Sequence, residues 1–219
     1  MGYSLCGVQR VDSAGDDETE VIAHFYHVYA GGQWLEPVRE HCRALLDHGL
    51  YAALDEFYVG LVGSQEQISE AVGYIRGLGL DPVVVARSWD GWEQETLRQL
   101  QGWARQAEGI CLYAHTKSAH DPSDINVDWR KSMCFYNVVR WQPAIEGLGG
   151  EFDTAGCHWL DSMYGGNYWW ATAAYLRTLP PLLYVSRWDA EGWIATGEGN
   201  RVKDLNPGHP GHRRFVLSW

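Results

Sequence analysis

Long apolar runs are missing. Nowhere in the 219 residues is there a stretch near the roughly 18 apolar side chains that a membrane-spanning helix needs. Residues 1–20 have neither a basic start nor an apolar core, which excludes an ordinary secretory signal. The chain begins Met-Gly, but Cys6 stands where a myristoylation site wants Ser or Thr. The acidic, polar run over 12–20 reads instead as a flexible leader. Cysteine is sparse and scattered: Cys6, Cys42, Cys111, Cys134 and Cys157 include no close pair, which argues against a zinc cage or a disulfide framework. Reduced, packed thiols imply a cytoplasmic protein. Basic charge is also short, with 17 Lys and Arg against 28 Asp and Glu and a formal charge of −11. A phosphate-gripping surface is therefore disfavoured, although a local basic patch is compatible with that total.

Familiar catalytic signatures are absent as well. There is no GxxxxGK[ST] loop, GxGxxG turn, HExxH pair or GxSxG elbow; Gly77-Leu78-Gly79 lacks the third glycine. Kinases, dehydrogenases, zinc proteases and the commonest esterases lose support.

What is present is a regular alternation. Residues 21–29 are apolar and aromatic and stop at Gly31-Gly32, as a strand does. Trp34, Val38, Cys42 and Leu45 then recur at helical spacing up to Gly49. Strand patterns at 57–62, 83–86 and 110–114 are each followed by a helical pattern, the last over residues 129 to about 148. Four strand-helix units predict an α/β fold: a mainly parallel central sheet, flanked by helices, in a Rossmann-like domain spanning 21–219 after the 1–20 leader. A fifth strand is expected at 152–159, a glycine- and tryptophan-rich bend at 165–170, and short helices at 171–179 and 189–195. The loop with His209 and His212 precedes a final apolar segment.

In such sheets ligands collect beyond the carboxyl ends of the strands. His115-Thr116-Lys117 closes the fourth strand; Lys117 is placed to neutralise a diphosphate and His115 to bind a phosphate or move a proton. The competing reading is a solvated lysine and a capped histidine. Asp128 is a natural helix N-cap, and Arg130 either reaches an anion or pairs locally. Gly166-Asn167-Tyr168-Trp169-Trp170 combines a permissive backbone, an amide and aromatic faces, a set that suits a sugar as well as a structural turn. Glu191, between Trp188 and Trp193, is a candidate general base if partly buried; an ion pair with Arg187 is the alternative. His24 and His27 point to opposite faces of one strand and cannot chelate together. Cys157 and His158 are neighbours in sequence, which establishes no catalytic dyad.

Taken together, Tyr113-Ala114-His115-Thr116-Lys117, Asp128-Trp129-Arg130, Asp153 to Gly156, Gly166 to Ala171, and Arg187 with Glu191 and Trp193 resemble a family of bacterial and viral glycosyltransferase-like proteins. The resemblance implies a GT-A type nucleotide-sugar-binding fold and glycosyl transfer from a nucleoside-diphosphate sugar to a hydroxyl acceptor, a glycan or small molecule. It places the donor near His27 and Ser64, the diphosphate on Lys117 and Arg130, and the sugar and acceptor on Gly166, Asn167, Trp169, Trp170 and Arg187, with Glu191 and His115 catalytic. The usual Asp-x-Asp metal motif is replaced by His115-Thr116-Lys117, so the donor site either works without a metal or draws ligands from Asp121 and Asp124. No tightly bound cofactor is expected. Rival readings are a non-catalytic carbohydrate-binding protein, a hydrolase using Cys157, His158 or His115, and a glycosyltransferase whose acceptor is a modified DNA base.

Overall fold

The computed structural model describes residues 20–160 and 162–207. Apart from Glu20, the leader lies outside them, as do Cys6, His209, His212 and the final apolar segment. Among the described residues no helix is long and apolar enough to cross a membrane.

Strands β1 (Val21–Tyr29), β2 (Glu56–Val62), β3 (Val83–Ser88) and β4 (Gly109–His115) pair in parallel, in the order β3-β2-β1-β4. Each is followed by helix: α1 (Leu35–Asp47) with the short α2 (Leu50–Ala53), α3 (Gln65–Gly77), α4 (Gln94–Ala104) and α5 (Asp124–Cys134). The sheet continues with β6 (Trp169–Thr172), β5 (Thr154–Gly156) and β7 (Val202–Asp204). Only β6 runs antiparallel to its neighbours β4 and β5. The expected α/β sheet with helices on both faces is observed.

Alternation along the strands builds two cores. Tyr26 and Val28 of β1 face α1 and α3, where Val38, Cys42, Leu45, Ile68 and Ile75 close over them. Ala23 and Phe25 face the other way, onto Leu97 and Leu100 of α4 and onto Leu176 of α7 (Ala173–Thr178). α3 begins with a full capping box, in which Ser64 accepts from Gln67 N and Gln67 Oε1 accepts from Ser64 N.

Three expectations are corrected. The helix expected from residue 129 starts at Asp124, so Asp128 is a helix-interior residue and Ser123 occupies the N-cap position. It then passes through a π-helical turn at Phe135–Val139 before α6 (Trp141–Ile145), and so is not one continuous α-helix to residue 148. The bend expected at 165–170 ends in strand β6, because Trp169 and Trp170 pair with Tyr113 and Leu112 of β4. The fifth strand covers only Thr154–Gly156.

Candidate active site

The order β3-β2-β1-β4 leaves β1 and β4 side by side, and the loops that follow them are bonded to each other, Gln33 N donating to Ala119 O. A sheet cannot fill the space beyond such a pair, and α/β proteins bind ligands there. Here that space is a cleft of about 480 Å³ lined by residues of the β1, β3 and β4 ends and of α8 (Trp188–Trp193). A second hollow of about 290 Å³ lies towards the ends of β1 and β2, and shares Tyr29, Asp90 and Gly91 with the first.

The loop after β4 carries Lys117 into the cleft, and its backbone is tied down on every side. Thr116 N donates to His27 O at 3.0 Å and Thr116 Oγ1 accepts from Tyr29 N at 2.9 Å. Ser118 has φ +71°, and Gln33 N donates to Ala119 O at 2.8 Å. Gly32, at φ +59°, is obligatory beside this loop, since a Cβ there would strike Ala119 O. Arg130 fastens the loop from beneath: it is 4% exposed, pairs with Glu40 at 2.7 Å, and donates to Lys117 O and Ser118 Oγ. Arg130 therefore holds the loop and does not line the cleft, contrary to its expected contact with a diphosphate.

Lys117 Nζ sits 4.1 Å from the Trp129 ring centre, in cation–π contact. Burial pulls its pKa below the ordinary lysine value, against the attraction of Glu191 and Glu93. Burial acts oppositely on Glu191, whose pKa is raised, with Glu93 adding to the rise and Lys117 among the groups that oppose it. Both shifts bring the two groups' proton affinities closer together. Arg187 also lines the cleft, with its guanidinium 4.3 Å from the Trp188 ring centre.

Below the cleft lies a polar floor whose centre, Glu93, the sequence reading missed. Glu93 precedes α4, and α4 approaches the sheet closely because residue 60 is glycine; a Cβ there would collide with Thr96 Oγ1. That approach lets Thr96 Oγ1 bond His27 Nδ1 at 2.8 Å. Glu93 Oε2 accepts from Tyr113 OH at 2.9 Å and from Asn167 Nδ2 at 2.6 Å, and Oε1 lies 3.5 Å from His115 Nδ1. His115 Nε2 donates to Gly166 O at 2.9 Å, which fixes its tautomer and turns Nδ1 towards Glu93. Burial, helped by Lys117, lowers the His115 pKa to about 4; burial also takes His27 to about 4. The available signal for Glu93 was its place beyond the third strand end, seven residues past the strand pattern at 83–86.

The remaining candidates separate by position. His27, His115, Lys117, Asp121, Arg187 and Glu191 line the main cleft, and Ser64 lines the second hollow while capping α3. Asp121 accepts from Ser123 N at 3.2 Å and Asn126 Nδ2 at 2.8 Å; Asp124 is exposed on the first turn of α5 and does not face the cleft. Among the described residues no group of three or more His, Cys, Asp or Glu is arranged to hold a metal ion. Gly166, Asn167, Trp169 and Trp170 do not form the expected sugar surface. Trp169 and Trp170 are 0% exposed and Asn167 1%, and their partners are interior: Trp169 Nε1 donates to Asn167 Oδ1, Trp170 Nε1 to Asn137 O. Their role is to carry Asn167 to Glu93 and Gly166 O to His115.

No family model matches the chain, and no curated protein matches it. Among solved structures it is similar to one described as a 4-diphosphocytidyl-2C-methyl-D-erythritol synthase from Anaerococcus prevotii, at 11% identity and a TM-score of 0.47, over 90% of this chain and 91% of that one. At that level the likeness assigns no activity to this chain. The aromatic residues expected to stack on a sugar, Trp169 and Trp170, are sealed inside and do not line the cleft. The expectation of glycosyl transfer is withdrawn, and its modified-DNA-base variant with it. The carbohydrate-binding rival relied on the same tryptophans. Cys157 and His158, proposed for a hydrolase, are buried and do not line the cleft.

Proposed function

We propose that the chain is a nucleotide-binding enzyme of nucleotidyl transfer. The observation that carries this is the half-buried Lys117, held with Arg187 in a carboxylate-containing cleft at the β1/β4 crevice and adjoined by a second hollow. The phosphate chain of a nucleoside triphosphate lies along Lys117 and Arg187; the base and ribose lie over Gly31, Gly32 and Ser64. An acceptor oxygen attacks the α-phosphorus, its proton passes to Glu191, the bond from that phosphorus to the bridging oxygen breaks, and pyrophosphate leaves. Lys117 and Arg187 stabilise the charge that develops on the leaving group. His115 and Glu93 hold the strand end beneath them in register. The finer fold expectation, a GT-A-like sheet, belongs to this proposal and is supported by the parallel order and the position of the cleft. Turnover that survives chelator leaves the phosphate charge to Lys117 and Arg187 alone, and turnover lost to chelator and restored by Mn²⁺ adds a divalent ion to the bound triphosphate.

The test is calorimetric titration with a panel of nucleoside triphosphates and pyrophosphate, together with assay of pyrophosphate release. Binding by at least one nucleotide, weakened tenfold or more by Lys117→Ala in a folded protein, is the expected result. No binding by any of them overturns the reading. With Glu191 as base, turnover rises with pH through a value above the ordinary glutamate pKa, and Glu191→Gln removes that limb.

A further inference from the structure

Among the described residues, most of the large apolar side chains that are exposed are gathered at one edge of the cleft. Leu183 is 64% exposed, Val185 82% and Trp188 60%, and Trp92 and Tyr184 are partly exposed, while Trp89, at 78%, lines the second hollow. They come from two segments in contact: Trp92 stacks on Tyr184 with ring centres 5.6 Å apart, and Gln94 Nε2 donates to Ser186 O at 2.6 Å. Arg98 lies 4.7 Å from the Tyr184 ring centre. An apolar ridge of this extent is not a neutral way to finish a surface.

Two features tie the ridge to the cleft. Trp92 and Arg187 belong to both, and α8 carries Trp188 on the ridge three residues before Glu191 in the cleft. The ridge is thus one continuation of the cleft wall next to Glu191. The ridge is interleaved with Asp90, Glu95 and Asp189, the last fixed by Val185 N and Ser186 N. Those carboxylates oppose the anionic surface of a bilayer but tolerate a single apolar tail.

We infer that the acceptor substrate is an amphiphile, with its oxygen-bearing head at Glu191 and Arg187 and its alkyl or aryl part laid on the ridge of Trp92, Tyr184, Leu183, Val185 and Trp188. This rests on the reading of the cleft given above and adds the class of the second substrate. Each methylene fully covered raises affinity on the order of fourfold; on a one-sided ridge about twofold is expected.

The probes are methyl, butyl, hexyl and octyl phosphate, used below their micellar concentrations, with pyrophosphate as the anion control. Affinity is measured by calorimetry on the full chain. The expected result is a rise of about twofold per methylene that flattens in Leu183→Ser/Val185→Ser and in Trp188→Ser, while the double variant keeps wild-type pyrophosphate affinity. If pyrophosphate binds through Lys117 and tail length has no effect, the ridge inference falls and the cleft reading stands. If pyrophosphate and every alkyl phosphate fail to bind, the anion site falls first. A tail effect unchanged in both variants places the tail elsewhere and overturns the inference. Co-sedimentation with phosphatidylcholine vesicles that the double variant loses assigns the ridge to a bilayer, and a dimer that it loses assigns the ridge to a second copy; either result overturns the substrate assignment.

Discussion

Residues 166–170 and the ridge around Trp92, Tyr184 and Trp188 are both tryptophan-bearing stretches beside polar residues, and both lie near the ends of the same strands. Yet Trp169 and Trp170 are completely buried, while Trp188 is 60% exposed. Hydrogen-bond pairing makes the difference. Trp169 and Trp170 sit in a strand registered against β4, so the pleat sends one ring into each of the two cores. The ridge residues outside α8 lie in loops with no strand partner, so Trp92 and Tyr184 pack on each other and not into either core. Aromatic content alone did not distinguish a floor from a rim.

The strongest way to break this comparison is to empty one interior site. Trp170→Ala should cost about 3–5 kcal/mol in urea unfolding, because the ring is fully buried in the core and bonded to Asn137 O of the π-helical turn. A loss below 1 kcal/mol would show that the ring is not packed there.

Acid should likewise strike the interior. His24 Nδ1 donates to Leu112 O and its Nε2 meets His41 Nε2 at 2.8 Å, so His41 supplies that proton and its buried Nδ1 has no hydrogen-bond partner. Burial holds His24, His27 and His115 at about 4 and His41 well below its ordinary value. A histidine of depressed pKa contributes stability above the unfolded value near 6.5, and that contribution is lost as pH falls towards the folded value. Stability should therefore decline between about pH 6.5 and 4, by up to about 1.4 kcal/mol per pH unit for each such histidine. A flat denaturant midpoint across that range contradicts the neutral buried pair.

Asn167→Ala sharpens the contrast at the floor. It strips Glu93 and Trp169 of their amide partner and should cost about 1–3 kcal/mol. It should also weaken nucleotide binding, since the Glu93–His115 arrangement below Lys117 loosens. At the small end, Trp188→Ser should change stability by no more than about 0.5 kcal/mol. A loss of several kcal/mol would mean that its ring is packed after all.

The first half of the chain was largely legible. In β1, apolar and aromatic side chains run up to a Gly-Gly stop, and the helices after it repeat Val38, Cys42 and Leu45 or Ile68, Val72 and Ile75 at one-turn spacing. After residue 150 the strands shorten to three or four residues, too few for a period to show. Lys117 could be placed at a strand end because local pattern defines that end. Glu93 could not, because it matters only through Tyr113, Asn167 and His115, which come from β4 and from the segment before β6. Arg130 misled for the same reason: its partner Glu40 is 90 residues away in sequence.

The sequence by itself determined the alternation of strands and helices, the parallel sheet and the delivery of Lys117 to its rim, because these follow from spacing between near neighbours. Tertiary structure decided which carboxylate stands under the cleft, which arginine lines it and which tryptophans meet water. The first and last depend on the antiparallel entry of β6 beside β4 and the second on the Arg130–Glu40 pair, contacts between segments far apart in the chain that no local pattern encodes.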